Sequence, residues 1–248
     1  MNVPRLLWVG WRFYLKNLTL SSFYILTSVL QPIIFASVAY FMFEAGARQG
    51  TLLYVALGAG MMGIWSSTLF GSGGAIQWQR WQGVLEYSIA VPPPLLLIIV
   101  PLTIATASIG LYSLTATLFW GWLFFDVPFL VALPAAVLGL GLLGLVLAST
   151  FVLYRNANAL SNLLEFPVWL VTGLLVSLSL LPGWVAPLSW VLAPTWGINA
   201  LREAAIAGNP WPEIGMCLLL SAVYLVIGHY ALRHFERLAR ERATLAIA

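Results

Sequence analysis

Long apolar stretches separated by short polar breaks dominate the chain. Runs with no acid, lysine or arginine occupy residues 23–43, 52–72, 95–119, 129–153 and 214–232, and a sixth, 163–181, carries only Glu165 near its start. Each is close to the ~20 residues that a helix needs to cross roughly 30 Å of hydrocarbon. Membrane-barrel strands would instead alternate in segments of roughly 10 residues, a pattern absent here. No internal repeat or low-complexity linker divides the sequence. The pattern predicts an all-α, polytopic membrane protein with six transmembrane helices in a single domain, 1–248.

Residues 1–22 follow a helical period of their own. At 100° per residue, Arg5, Arg12 and Lys16 fall within about 40° of each other, while Leu6, Leu7, Trp8, Trp11, Phe13, Leu15 and Leu18 fill the rest of the wheel. This predicts a basic amphipathic helix on the inner surface of the membrane. It would serve as a topology anchor or as an elbow that contacts a partner. Met1–Leu20 has no small-residue cleavage site after a short apolar core, so no cleavable signal peptide is expected. With both termini cytoplasmic, the inner side holds Arg5, Arg12, Lys16, Arg80, Arg155, Arg233, Arg237, Arg240 and Arg242, and the outer side only Arg48 and Arg202. That asymmetry in short loops sets the orientation.

Composition narrows the function. The chain is 61% apolar and 8% charged, with mean hydropathy +0.95. A soluble domain carries about 25% charged residues, so a soluble enzyme, a nucleic-acid-binding domain and a disordered linker are excluded. The net charge of +3 reflects eleven basic residues that form no stripe, and no nucleic-acid partner is expected. Cys217 is the only cysteine, which leaves no internal disulfide and no cysteine-built metal site. His229 and His234 have no acid or cysteine at ligand spacing, so no metal is expected.

A phosphate-cradling loop needs a glycine-rich turn followed by lysine and Ser/Thr. The only lysine is Lys16, within FYLKNLTL, and the cluster GSGGA at Gly71–Ala75 reads as a flexible exit from the second span. No catalytic residues and no bound cofactor are therefore expected in this chain. Five of the six spans also lack the mid-membrane ionisable groups of proton-coupled carriers. Glu165 is a functional candidate by its position, or an acid close enough to the interface to reach water.

Two segments carry most information. IQWQRWQGVLEYSIAVPPP, 76–94, predicts a cytoplasmic helix over 76–92, interrupted by Gly83 and stopped at Pro92. Such a helix suits docking in a groove of a soluble partner, or stabilising the bundle at the interface. Residues 182–212 contain Pro182, Pro187, Pro194, Pro210 and Pro212 among apolar residues, too broken for a span. A re-entrant pair of short helices at the outer side fits, with Trp184, Trp190, Trp196 and Trp211 near the interface. A plain aromatic belt is the alternative.

Here the chain resembles the membrane-spanning (permease) subunits of the type-2 ATP-binding-cassette exporter family. Their loop commonly reads E-R-x-x-G-T-L-E-x-L-x-x-x-P, and Arg80, Gly83, Leu85, Glu86 and Pro92 match it. Gln79 replaces the usual acid, Gln82 a frequent basic residue, and Val84 the threonine. FPVWLVTGLLVSLSLLPGWVAPLSWVLAPTWGINALREA, 166–204, is similar to the family's C-terminal signature. Pro167, Gly173, Pro182, Trp184, Pro194, Asn199 and Arg202 fall on that pattern. In it a proline-started fifth helix ends in a Leu-Pro-Gly-Trp turn. LQPIIF at 30–35 also resembles the first helix of drug-exporter-type members.

The resemblance implies the permease half of an exporter in the cell (plasma or inner) membrane of a bacterium. Its partners would be two copies of a separate ATPase subunit, which would bind ATP and Mg2+, together with a second copy or a related permease chain and membrane lipids. Gln79, Arg80, Gly83, Leu85, Glu86 and, on the next cytoplasmic loop, Arg155 would couple to the ATPase. Pro182, Trp184, Pro194 and Arg202 would form an outer gate. Phe35, Trp65, Phe166 and Trp169 are candidates for an apolar cargo pathway, or plain bundle core. Such walls suit a drug, an antibiotic or a lipid-linked molecule. A polysaccharide or glycolipid exporter, and a non-transporting membrane scaffold, are the alternatives.

Overall fold

The computed structural model describes residues 3–20, ten positions between 22 and 41, 52–81, 83, 87, 94–125, four positions between 141 and 146, 157–174, 178, 181–206 and 208–242. The described residues form seven helices and no strand: α1 (Val3–Thr19), α2 (Leu52–Trp81), α3 (Leu96–Phe125), α4 (Ala157–Val171), α5 (Val185–Trp190), α6 (Ala193–Ala205) and α7 (Trp211–Arg242). The scattered described positions in the first and fourth expected spans are helical as well.

α2 and α3 form the centre. Both are apolar around most of their circumference, and each runs for 30 residues. Their backbones come close because small residues line the contact. A Cβ on Gly110 would lie 2.5 Å from Ile64 Cα. Two alanines of α3 serve other neighbours: Ala105 clusters with Leu18 of α1, and Ala107 lies 3.3 Å from where a Cβ on Gly141 would stand. α1 lies along α3, with Leu18 packed into a cluster with Ala105 and Ile109 and the Trp11 indole N–H donating to Ser108 Oγ at 3.1 Å. Its Arg5, Arg12 and Lys16 side are exposed, as the wheel requires.

Among the described residues, one helical stretch is shown to be long and apolar enough to cross a membrane, Trp211–His234 of α7. Its 24 residues rise roughly 36 Å. Met216, Leu218, Leu219, Val223, Val226 and Ile227 all point away from the protein, a face that lipid or another subunit must cover. Arg233, Arg237, Arg240 and Arg242 follow at its C-terminal end.

The proline-rich stretch folds as two short helices. Pro187 lies in the first turn of α5, Pro194 at the start of α6 and Pro212 at the start of α7, where a missing amide donor breaks no helical bond. The α5–α6 link is held by α7: Tyr224 Oη donates to the Val191 carbonyl at 2.5 Å and accepts from the Ala193 amide at 3.2 Å. Tyr224 is thirteen residues beyond Trp211, roughly 20 Å along the axis of α7. α6 then runs back towards the start of α7, where Arg202 and Glu213 line one cavity. α6 thus runs alongside the first half of α7.

Two expectations are corrected. Gly71–Ala75 is not a flexible exit, because α2 continues through it to Trp81. Each helical glycine costs about 1 kcal/mol relative to alanine, which weakens a helix without ending it. The cytoplasmic helix expected from 76 therefore begins as the end of α2. Nor is 163–181 one helix, and the helix does not start at Pro167 as the family resemblance implied. α4 starts at Ala157, holds Pro167 in its interior and stops at Val171. Gly173 adopts φ +75, Leu174 N–H bonds the Trp169 carbonyl and Gly173 N–H the Leu170 carbonyl, both at 3.2 Å. This pair of bonds around a left-handed glycine is the Schellman stop.

Candidate functional site

The α4 stop turns a helix end inward, and Arg202 meets it. The Arg202 Nη2 donates to the Gly173 carbonyl at 3.1 Å. The same guanidinium stacks on the Tyr54 ring at 3.4 Å from its centroid, in the first turn of α2. One arginine on α6 therefore ties together α2 and α4. A carbonyl at a helix C-terminus carries partial negative charge, so a cation is its natural partner. Burial lowers the Arg202 pKa from the usual guanidinium range to about 10, with Tyr54 opposing the shift, so the group stays cationic at neutral pH. Beside this node, Gly58 of α2 abuts the Leu174 carbonyl so closely that any Cβ would collide with it.

Pro194 is buried at the start of α6, whereas Pro182 and Trp184 are exposed ahead of α5. Trp196 Nε1 donates to the Trp190 carbonyl at 2.9 Å and closes the α5–α6 elbow. Pro194 and Arg202 lie on one helix, two turns apart, and Trp184 is exposed just ahead of α5.

A second polar contact lies within the bundle. Ser66 Oγ of α2 donates to Glu165 Oε1 of α4 at 2.5 Å, and the Gln31 side-chain amide donates to the same carboxyl. Glu165 is 6% exposed. It does not reach water at the edge of the fold, because Ser66 and Gln31 give it partners inside. Trp65 and Trp169 are buried in the main core cluster, and Phe166 is exposed while packing edge-to-face on Trp169 at 5.0 Å. Phe35 lies outside the described residues.

Of the coupling residues, Gln79 and Arg80 are in the last turn of α2. Gly83 follows with φ +69, a conformation that L side chains rarely adopt. Tyr87 is helical and exposed. Leu85, Glu86 and Arg155 lie outside the described residues. Tyr54, Ser66, Gln31 and Tyr224 were not anticipated, since each acts through a partner distant in sequence; only their hydroxyl or amide in an apolar stretch marks them.

The sequence profile of the family described as ABC-2 type transporter matches residues 5–206, from α1 to the end of α6 and well over half of the chain. The chain belongs to the ABC-2 type transporter family. No curated protein and no solved structure matches it. ABC-2 membrane domains are permease components without the nucleotide-binding cassette, so this chain is an ABC transporter permease and a membrane protein. Permeases of this family generally work with an ATPase partner.

Proposed function

We propose that this permease is the membrane half of an ATP-driven exporter that moves a hydrophobic or amphiphilic compound out of the cytoplasm or inner leaflet. A separate ATPase subunit, present twice, would bind ATP and Mg2+ and supply the energy. Two permease copies, or this chain and a related one, would enclose the pathway about an approximate two-fold axis. Six spans with both termini cytoplasmic place the loop after α2 on the ATPase side and the α5–α6 pair at the outer side.

The observation that carries this reading is the path of α2. It runs for 30 residues, Leu52–Trp81, roughly 45 Å, with Tyr54 under Arg202 in its first turn and the Gly83 turn of the loop that would dock on the ATPase just past its end. A displacement of that loop would pass along one continuous helix, whose far end bears on the residue that holds the α4 stop. Arg202 would then be the latch of an outer gate. The α5–α6 pair supports this role, because Tyr224 anchors its elbow well inside the length of α7. Non-helical backbone at such depth is tolerated where protein or a cavity surrounds it. Alternating access follows as a rocking of spans about this latch.

The test is ATP-dependent uptake of a fluorescent amphiphile into inside-out vesicles holding the permease and its ATPase. Uptake is expected with both subunits and ATP, and neither uptake nor ATP hydrolysis from the purified permease alone. Hydrolysis by the contaminant-free permease, or ATP-independent uptake of equal size, would refute the proposal.

A further inference from the structure

The height of α1 on its neighbour decides what its basic side can meet. Gly10 touches α3 at Pro101, where an added Cβ would lie 3.0 Å from the proline Cβ. Leu18 packs with Ala105 and Ile109, and Trp11 donates to Ser108. Gly10 to Leu18 spans roughly 12 Å, and Pro101 to Ile109 the same length. Contacts at both ends of these stretches hold the two helices near parallel, so α1 climbs beside α3 instead of lying across it. α3 starts at Leu96, roughly 8 Å before Pro101 and roughly 20 Å before Ile109. Arg12 and Lys16 stand between those two heights, where charge facing hydrocarbon is unfavourable.

That side of α1 is exposed and of one sign. Arg5, Arg12 and Lys16 lie on the side away from α3, with exposed Trp8 on one flank and exposed Phe13 on the other. Leu7, Tyr14 and Leu18 occupy the opposite side and pack inward. α1 contains no acid. Nor does another copy of the chain offer one at this height. Of its eight acids, Glu165 is buried against Ser66, and Glu44, Asp126, Glu203 and Glu213 fall on the outer side of the proposed topology. Glu86 belongs to the cytoplasmic loop, and Glu236 and Glu241 stand among the arginines that end α7. The source of negative charge left at the inner leaflet is the lipid, which basic segments on that side attract. Aromatic flanks suit acyl chains beside a bound headgroup.

We propose that the basic side of α1 binds the phosphate of an anionic phospholipid of the inner leaflet, drawn along α3 towards the middle of the bilayer. Arg12 and Lys16, one helical turn apart, hold it from two heights, and Arg5 stands nearer the cytoplasm. The bound lipid neutralises the charge that α1 carries into the membrane and secures the helix against α3. The site rests on the proposed orientation but needs neither ATP nor cargo, so its failure would leave the transport reading standing.

The experiment uses the full chain, delipidated in neutral detergent, and measures phospholipid retained after gel filtration by phosphorus content. Thermal unfolding is followed in parallel through reaction of buried Cys217 with a fluorogenic thiol dye. Phosphatidylglycerol is expected to bind saturably and to raise the unfolding midpoint, and phosphatidylcholine to do neither. Arg12→Gln/Lys16→Gln is expected to weaken retention by roughly tenfold or more, since each basic residue near an anionic surface contributes about fivefold in binding. Arg240→Gln/Arg242→Gln removes equal charge from the end of α7 and should leave retention unchanged. Equal retention of the two lipids, equal weakening by the two double variants, or a dimer that forms at the expense of bound phosphatidylglycerol overturns the proposal. Lys16→Gln alone, at an exposed position, keeps the test decisive if the double variant fails to fold: about fivefold weaker retention supports the site, and undiminished retention overturns it.

Discussion

Replacing Ser66 by alanine removes the donor that Glu165 meets inside the bundle, and its cost can be worked from the surroundings. Hydrogen bonds between membrane helices average about 0.6 kcal/mol, because alternative partners are found in the unfolded state. Leaving a buried acceptor short of its donor costs about 1–3 kcal/mol. The second effect wins here. Glu165 is 6% exposed, so water does not replace the hydroxyl, and only Gln31 remains as a described partner. Ser66→Ala should therefore destabilise by about 2 kcal/mol, a fall in midpoint of about 4–8 °C for a chain of this size. Cys217 provides the assay, since it is the only cysteine and fully buried, and a thiol dye reports its exposure. The double variant Ser66→Ala/Glu165→Met should recover at least half of the loss, because removing both polar partners lifts the penalty of an orphaned acceptor. Additive losses, or a Ser66→Ala midpoint within 1 °C of the parent, would refute the reasoning.

Three further outcomes are expected. On a Cys217→Ser background, single cysteines at Asp126 and Arg242 should label from opposite sides of the membrane; labelling from the same side contradicts the six-span topology. Glu86→Ala should leave membrane insertion intact but lower transport and transport-stimulated ATP hydrolysis in the assembled complex, and unchanged transport by a well-expressed complex would show Glu86 to be a solvated bystander. Gly110→Ala should cost about 1–3 kcal/mol by forcing α3 away from Ile64, whereas Gly215→Ala on α7, where a Cβ meets nothing within 4 Å, should be neutral or stabilising by up to about 1 kcal/mol; equal effects in thermal unfolding would contradict the helix contact.

What could be read from the sequence was local. The spacing of Arg5, Arg12 and Lys16 gave α1 and its exposed basic side, because a wheel needs only consecutive residues. The five prolines of 182–212 marked a stretch too broken for one span, and three of them, Pro187, Pro194 and Pro212, stand in first turns of α5, α6 and α7. The stop of α4 was missed. A left-handed Gly173 is optional in an apolar helix, and the packing of Leu174 against Gly58, more than a hundred residues earlier, favours it. Gly71–Ala75 misled in the opposite direction, since glycines that weaken an isolated helix persist in one that continues from a packed core. Arg202 was legible as one of the few outer basic residues. Its partners Tyr54 and the Gly173 carbonyl were not, and neither was Ser66 opposite Glu165, because periodicity says nothing about which helices become neighbours.

The central claim is that this permease draws its energy from a separate ATPase, and stoichiometric co-purification tests it most directly. The full chain, tagged and extracted from its native membrane in mild detergent, should bring with it an ATPase subunit that carries the glycine-rich loop and lysine absent here. One ATPase per permease is expected, with ATP hydrolysis lost when the two are separated. A monodisperse permease that retains no such subunit, from membranes in which it is fully expressed, would contradict the account.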